Sequence, residues 1–146
     1  MAVKTQFLKN FNPVKEKDWE EIEPGRMARL SLRGPKVGLD LYAIYFPTGT
    51  LAEEQTLKKV LTLRLQKEMR PQLKVLSILM GDFNFVMKNE DRLCLRTMEH
   101  TGRHDKPTAD RFNQLLEEHK LHELEQPLTP IRRLTRESIG FTPIIM

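Results

Sequence analysis

The run Leu76-Ser77-Ile78-Leu79-Met80-Gly81-Asp82-Phe83-Asn84-Phe85-Val86 constrains the fold more than any other stretch. An apolar segment rich in Ile and Leu, stopped by glycine, predicts a buried strand. Two polar residues follow, with Phe83 between them. In an extended chain residues i and i+2 share a face, so Asp82 and Asn84 are expected to point one way and Phe83 into the core. A carboxylate and an amide would then stand side by side at a strand's end. An ionised Asp can bind a metal or accept a proton, and an Asn amide can donate to an anionic oxygen. Gly, Asp and Asn also suit an ordinary strand-to-loop turn, and these four residues alone favour that plainer reading.

The chain length, 146 residues, fits one domain or part of one. The single cysteine, Cys94, excludes an internal disulfide and points to a reducing, intracellular compartment, with the nucleus as one candidate. No segment approaches a membrane-spanning run, and the first residues carry no apolar signal segment. The net charge of +4 suits a polyanionic partner such as nucleic acid.

Phe7, Leu8 and Phe11 among Lys4, Lys9 and Asn10 read as a short edge strand. Asp18 to Glu23 is a strand end or a helical turn, closed by a tight turn at Pro24-Gly25. From Arg26 to Arg33 the pattern alternates. Ala28, Leu30 and Leu32 share one face, and Met27, Arg29, Ser31 and Arg33 form a mostly basic outer face. Leu39 to Phe46 is the next strand, ended by Pro47. Thr50 and Glu53 form a capping box, opening a helix to about Arg70. Leu57, Val60, Leu61 and Leu65 make its apolar stripe, leaving Lys58, Lys59 and Lys67 to a solvated face. Pro71 stops the helix and Val75 to Met80 returns to strand. Strand, helix, strand predicts a parallel pair with a right-handed crossover. Ligands bind beyond the carboxyl ends of such strands, where Tyr45 and Asp82 lie. If the strands are neighbours, Tyr45, Asp82 and Asn84 line one crevice. Taken alone, Tyr45 reads as a rim residue with its hydroxyl in water.

Ala43-Ile44-Tyr45-Phe46-Pro47, a helix, and then Ile78-Leu79-Met80-Gly81-Asp82-Phe83-Asn84 resemble the middle of the endonuclease/exonuclease/phosphatase family. That family includes exonuclease III, abasic-site endonucleases and the endonuclease domains of non-LTR retrotransposons. Asp91-Arg92 after Gly-Asp-Phe-Asn, and Pro24-Gly25-Arg26 before a basic strand, are most similar to the retrotransposon branch. The resemblance runs from about Phe7 to Glu123 and implies an α/β fold, part of a two-sheet α/β sandwich. It further implies a Mg²⁺-dependent phosphodiesterase acting on DNA. Asp82 matches the aspartate that orients or deprotonates the attacking water. Asn84 matches the asparagine that holds the phosphate or the metal shell, so both would adjoin a Mg²⁺ site. Tyr45 matches the tyrosine that contacts the phosphate. Mg²⁺ prefers oxygen ligands and stabilises charge developing on phosphoryl oxygens.

The sequence departs from the family at both ends. The metal-holding glutamate and its companion asparagine, expected before the Tyr-x-Pro strand, have no counterpart, since Glu20, Glu21 and Glu23 occur in the wrong context. The closing Ser-Asp-His is also unmatched. The expectation is a central fragment over residues 1–126, inactive alone, with Arg29, Arg33, Lys58 and Lys59 offering charge-driven DNA contacts. The alternatives are a non-catalytic nucleic-acid-binding remnant and a pseudogene product without selected function. His119 and His122 read as a solvated helix end beyond Ala109, Phe112, Leu115 and Leu116. His100 and His104 read as loop residues and Cys94 as inert.

Residues 127–146 read as an out-of-frame, poorly ordered tail. Arg132, Arg133 and Arg136 interrupt it, and Ile144-Ile145-Met146 is a stray apolar end. The retrotransposon branch carries a Thr-Tyr strand and then Ser-Arg-Ile-Asp-Arg-Ile-Tyr after its Leu-rich helix. Moving the frame back one base, the codon junctions from Thr135/Arg136 to Phe141/Thr142 permit that whole motif. The junctions from Leu128/Thr129 to Pro130/Ile131 permit Tyr-Thr-Tyr. With that strand lost, an open apolar sheet edge is expected.

Overall fold

The computed structural model describes residues 3–49, 51–69, 74–87, 93–94, 97–100, 105–123 and 144–145. Two compact units divide them. One holds residues 1–45, 71–82 and 121–146, and the other holds residues 46–70 and 83–120.

The first unit is built on a mixed sheet of order β1-β2-β3-β4-β8-β7. Its strands are β1 (Trp19–Glu23), β2 (Met27–Arg33), β3 (Gly38–Tyr45), β4 (Val75–Asp82), β7 (His122–Glu123) and β8 (Ile144–Ile145). β1, β2 and β3 run antiparallel in sequence. The β1–β2 turn has Pro24 second and Gly25 third, with φ +65° at Gly25 and Arg26 N–H donating to Glu23 C=O at 2.9 Å. A type II turn requires that positive φ, which glycine adopts without strain. β3 and β4 pair in parallel from Gly38↔Val75 to Tyr45↔Asp82, as the strand-helix-strand pattern predicts.

β3 is buried on both faces, as befits a central strand of an α/β sheet. Leu32, Leu39 and Leu41 form a core cluster on one side, joined by Leu30, Ile78 and Met80 and covered by Val3, Leu8 and Phe11. The opposite face of β2 is not the open basic face expected. Met27 is buried there, as are Tyr42, Ile44 and Leu79 on the neighbouring strands, because an interior strand of such a sheet is covered on both sides. The amino-terminal segment is also corrected. Thr5–Leu8 is a helical turn, α1, and not an edge strand. Helical spacing brings Phe7 against Phe11, ring centroids 5.4 Å apart.

The second unit holds α2 (Ala52–Glu68), α3 (Lys106–Glu118) and the two-stranded β5–β6 (Leu93–Cys94 and Glu99–His100). Its apolar centre is a cluster of Phe46, Phe83, Phe85 and Phe112, edge-to-face in every pair but the tilted Phe46–Phe85, with centroids 5.1–6.3 Å apart. The cap of α2 is Leu51, without a side-chain hydrogen bond. Thr50, read as the cap, lies outside the described residues. The buried side of α2 is Lys58, Leu61, Thr62 and Leu65, while Val60 is half exposed. The apolar stripe is thus displaced from the expected one.

The edge beyond β4, expected bare, is covered at Ile78 and Leu79 by Ile145 and Ile144. His122 and Glu123 pair outside them. The remainder of 127–146, like Asp91, Arg92, Pro71 and His104, lies outside the described residues. Among the described residues no helix is long and apolar enough to cross a membrane.

Candidate functional site

Tyr45 and Asp82 are register partners at the carboxyl ends of two parallel neighbours, β3 and β4. Adjacent strands lie about 4.8 Å apart, so the phenol and the carboxylate project from neighbouring backbones. The sequence reading of these two positions therefore meets at one place on the sheet. Tyr45 is 46% exposed, consistent with a hydroxyl open to an incoming group. Its ring also carries the Arg26 guanidinium at 5.0 Å from the centroid.

Gly81 sets this geometry. It has φ +156° and sits opposite Ile44, so close that a Cβ would lie 1.8 Å from the Ile44 carbonyl oxygen. Only glycine allows β4 to keep its register through to Asp82.

The strand ends at Asp82, and Asn84 adopts φ +48°. The i, i+2 shared-face argument, which needs extended backbone, therefore does not reach Asn84. Phe83 is buried as expected, in the Phe46–Phe112 cluster. The Asn84 amide donates to the Phe46 carbonyl at 2.8 Å, which fixes its orientation within the second unit.

The four basic residues read as DNA contacts have different surroundings. Arg29 is ion-paired with Glu20 and hydrogen-bonded to Tyr42. Arg33 pairs with Asp40 at 2.7 Å. Lys58 is buried, 1% exposed, and does not belong to a solvated face. Its ammonium donates to Gly49 C=O at 2.8 Å and to Asp105 at 3.0 Å. Lys59 is exposed.

Asp105 escaped the sequence reading. It is buried and caps α3 through the Thr108 N–H, and Gln55 donates to it at 2.8 Å. Burial pushes its carboxyl up, but the hydrogen bonds from Gln55, Lys58 and Thr108 and the Lys58 charge outweigh that and hold it below the usual range. An Asp ahead of Lys106-Pro107 was a legible cap signal.

Among the described residues no group of three His, Cys, Asp or Glu side chains could hold a metal ion. One carboxylate, Asp82, is not by itself a Mg²⁺ site, so the described residues do not complete the implied centre. His119 is the residue after α3, and its Nδ1 is buried without a hydrogen-bond partner among the described residues. His122 is exposed in β7.

No family model matches the sequence, and no curated protein is similar to it in sequence. Solved structures do match. An AP endonuclease from Archaeoglobus fulgidus superposes with a TM-score of 0.51 at 15% identity, covering 82% of this chain and 52% of that one. The endonuclease domain of TRAS1, a telomere-specific non-LTR retrotransposon, superposes with a TM-score of 0.52 at 16% identity, covering 90% of this chain and 52% of its own. The chain has a partial endonuclease/exonuclease/phosphatase-type α/β fold. It spans about half the length of both nucleases. The likeness agrees with the family that the Tyr45-Phe46-Pro47 and Gly81-Asp82-Phe83-Asn84 motifs resemble.

Proposed function

We propose that this chain is a portion of a retroelement-type DNA endonuclease domain, and that alone it binds DNA weakly without cleaving it. The observation that carries the reading is the register pairing of Tyr45 with Asp82 at the ends of β3 and β4. In the complete domain, Asp82 would orient or deprotonate the attacking water and Tyr45 would donate to a phosphate oxygen. Asn84 would hold the phosphate or the metal shell. An ionised carboxylate can accept a proton, and a phenol can donate to an anion. The metal-assisted part of that reaction calls for donors that the described residues lack, so no step through Mg²⁺ is assigned to this chain.

A non-catalytic DNA-binding remnant is the second reading. The net charge of +4 and the exposed Lys59 support it. The pseudogene reading is decided by the flanking reading frame, where codons for the missing Asn and Glu motifs would favour the enzyme.

The test is incubation of the purified chain with supercoiled plasmid and with an abasic duplex in MgCl₂. No nicking is expected, because loss of essential site members costs many powers of ten in rate. Binding in the same mixtures should be weak, blind to sequence and steeply weakened by salt. Nicking that disappears in Asp82→Asn would overturn the inactive-fragment reading and show a complete site.

A further inference from the structure

The surface beside Tyr45 is shaped by a turn that the catalytic motif does not include. Gly25, with φ +65°, turns the chain so that Arg26 faces the end of β3, and the Tyr45 N–H donates to the Arg26 carbonyl at 2.8 Å. The backbone bond and the guanidinium carbon lying over the ring, 5.0 Å from its centroid, hold Arg26 against Tyr45. Glu21, Gly25, Arg26, Met27, Ala43 and Tyr45 line a shallow pocket there of about 210 Å³.

The surroundings of Arg26 differ from those of the β2 arginines. Arg29 and Arg33 have carboxylate partners. The Arg26 side chain makes no hydrogen bond or ion pair among the described residues, and its contact is the face of Tyr45. A guanidinium held over an aromatic face still has N–H groups to offer a ligand, and its planar edge fits two phosphate oxygens at once. The Glu21 carboxylate in the same pocket is already engaged, since its Oε1 accepts the Gly25 N–H at 2.9 Å. The pocket adjoins Tyr45, whose register partner is Asp82.

We propose that Arg26, held on the face of Tyr45, is a phosphate anchor for the DNA backbone at the end of β3. It would grip the phosphodiester through its guanidinium edge and fix the Tyr45 ring in place. The inference rests on the DNA-binding part of the proposed function and adds a residue to it. The ligand class is a nucleic-acid phosphodiester, recognised by charge and shape and not by base.

The experiment measures binding of a labelled mixed-sequence DNA duplex by fluorescence anisotropy across a salt series, with the full chain, Arg26→Ala, Arg26→Lys and Arg29→Ala. Circular dichroism melting confirms that each variant folds. Arg26→Ala is expected to bind several-fold to about tenfold more weakly, with the slope of log K against log salt reduced by about 0.9, the change for one lost phosphate contact. Arg26→Lys should keep that slope while losing part of the affinity, because a lysine retains the charge without the planar fork. Arg29→Ala should change the slope less than Arg26→Ala. Duplex binding by the full chain that is unchanged in Arg26→Ala would overturn this inference and leave the proposed function standing. Absence of any duplex binding at low salt would overturn both.

Discussion

A methyl group on Gly81 would lie 1.8 Å from the Ile44 carbonyl oxygen and 2.7 Å from its carbon. Backbone atoms cannot step aside as a flexible side chain can, so relief requires β3 and β4 to separate at Ile44↔Gly81. That pair directly precedes Tyr45↔Asp82. Gly81→Ala is therefore expected to cost about 3 kcal/mol or more, beyond ordinary overpacking, and to disturb the Tyr45–Asp82 register. Gly25 is the comparison. It too has positive φ, but a Cβ there meets nothing within 4 Å. Gly25→Ala should cost only the left-handed penalty of about 1–2 kcal/mol. Urea denaturation of both variants checks the ranking, and equal losses would show that the close approach at Ile44 is relieved cheaply. The glycine in Gly-Asp-Phe-Asn was read as a strand stop, but β4 runs through it to Asp82. Its contact with a carbonyl on another strand was not legible, since register is a tertiary fact.

Within the second unit, α2 and α3 are joined by the buried Lys58–Asp105 pair, with Gln55 and Thr108 closing the network. Removing one member strands the other charge out of water, so Lys58→Ala is expected to cost about 3–5 kcal/mol. The acid limb of stability follows from Asp105. Its folded value lies below its unfolded one, so its contribution is fully present above the unfolded value of about 3.9. That contribution is lost as pH falls through the folded value. Asp105→Asn should flatten the loss of stability below about pH 4, read from urea midpoints across pH. An unchanged acid limb would show that other carboxylates govern it. The helix itself was legible, because Leu61 and Leu65 repeat at helical spacing. Lys58 was not, because its partner lies 47 residues away and a buried ion pair leaves no local pattern. The amino-terminal segment was misread for a related reason. Phe7, Leu8 and Phe11 fit a helical turn by spacing, but too few residues separate that period from a strand's.

For the whole molecule, the parallel β3–β4 pair and its carboxyl-end site were readable from the strand-helix-strand order, while the sheet's far side was not. There, among the described residues, Ile144 and Ile145 pair with β4 on one side and with His122 and Glu123 on the other. We propose that a longer strand followed α3 in the ancestral chain and that a one-base shift near Pro127 replaced it. The residues themselves bear on this. Read one base back, the junctions from Thr135/Arg136 through Phe141/Thr142 permit Ser-Arg-Ile-Asp-Arg-Ile-Tyr in unbroken order. Each junction allows only a few residues, so an unbroken run of agreements carries weight. The restored run supplies an aspartate that the present tail lacks. Sequencing the underlying nucleic acid decides the matter. Codons spelling that motif one base back are expected, and any other codons at these junctions would end the proposal.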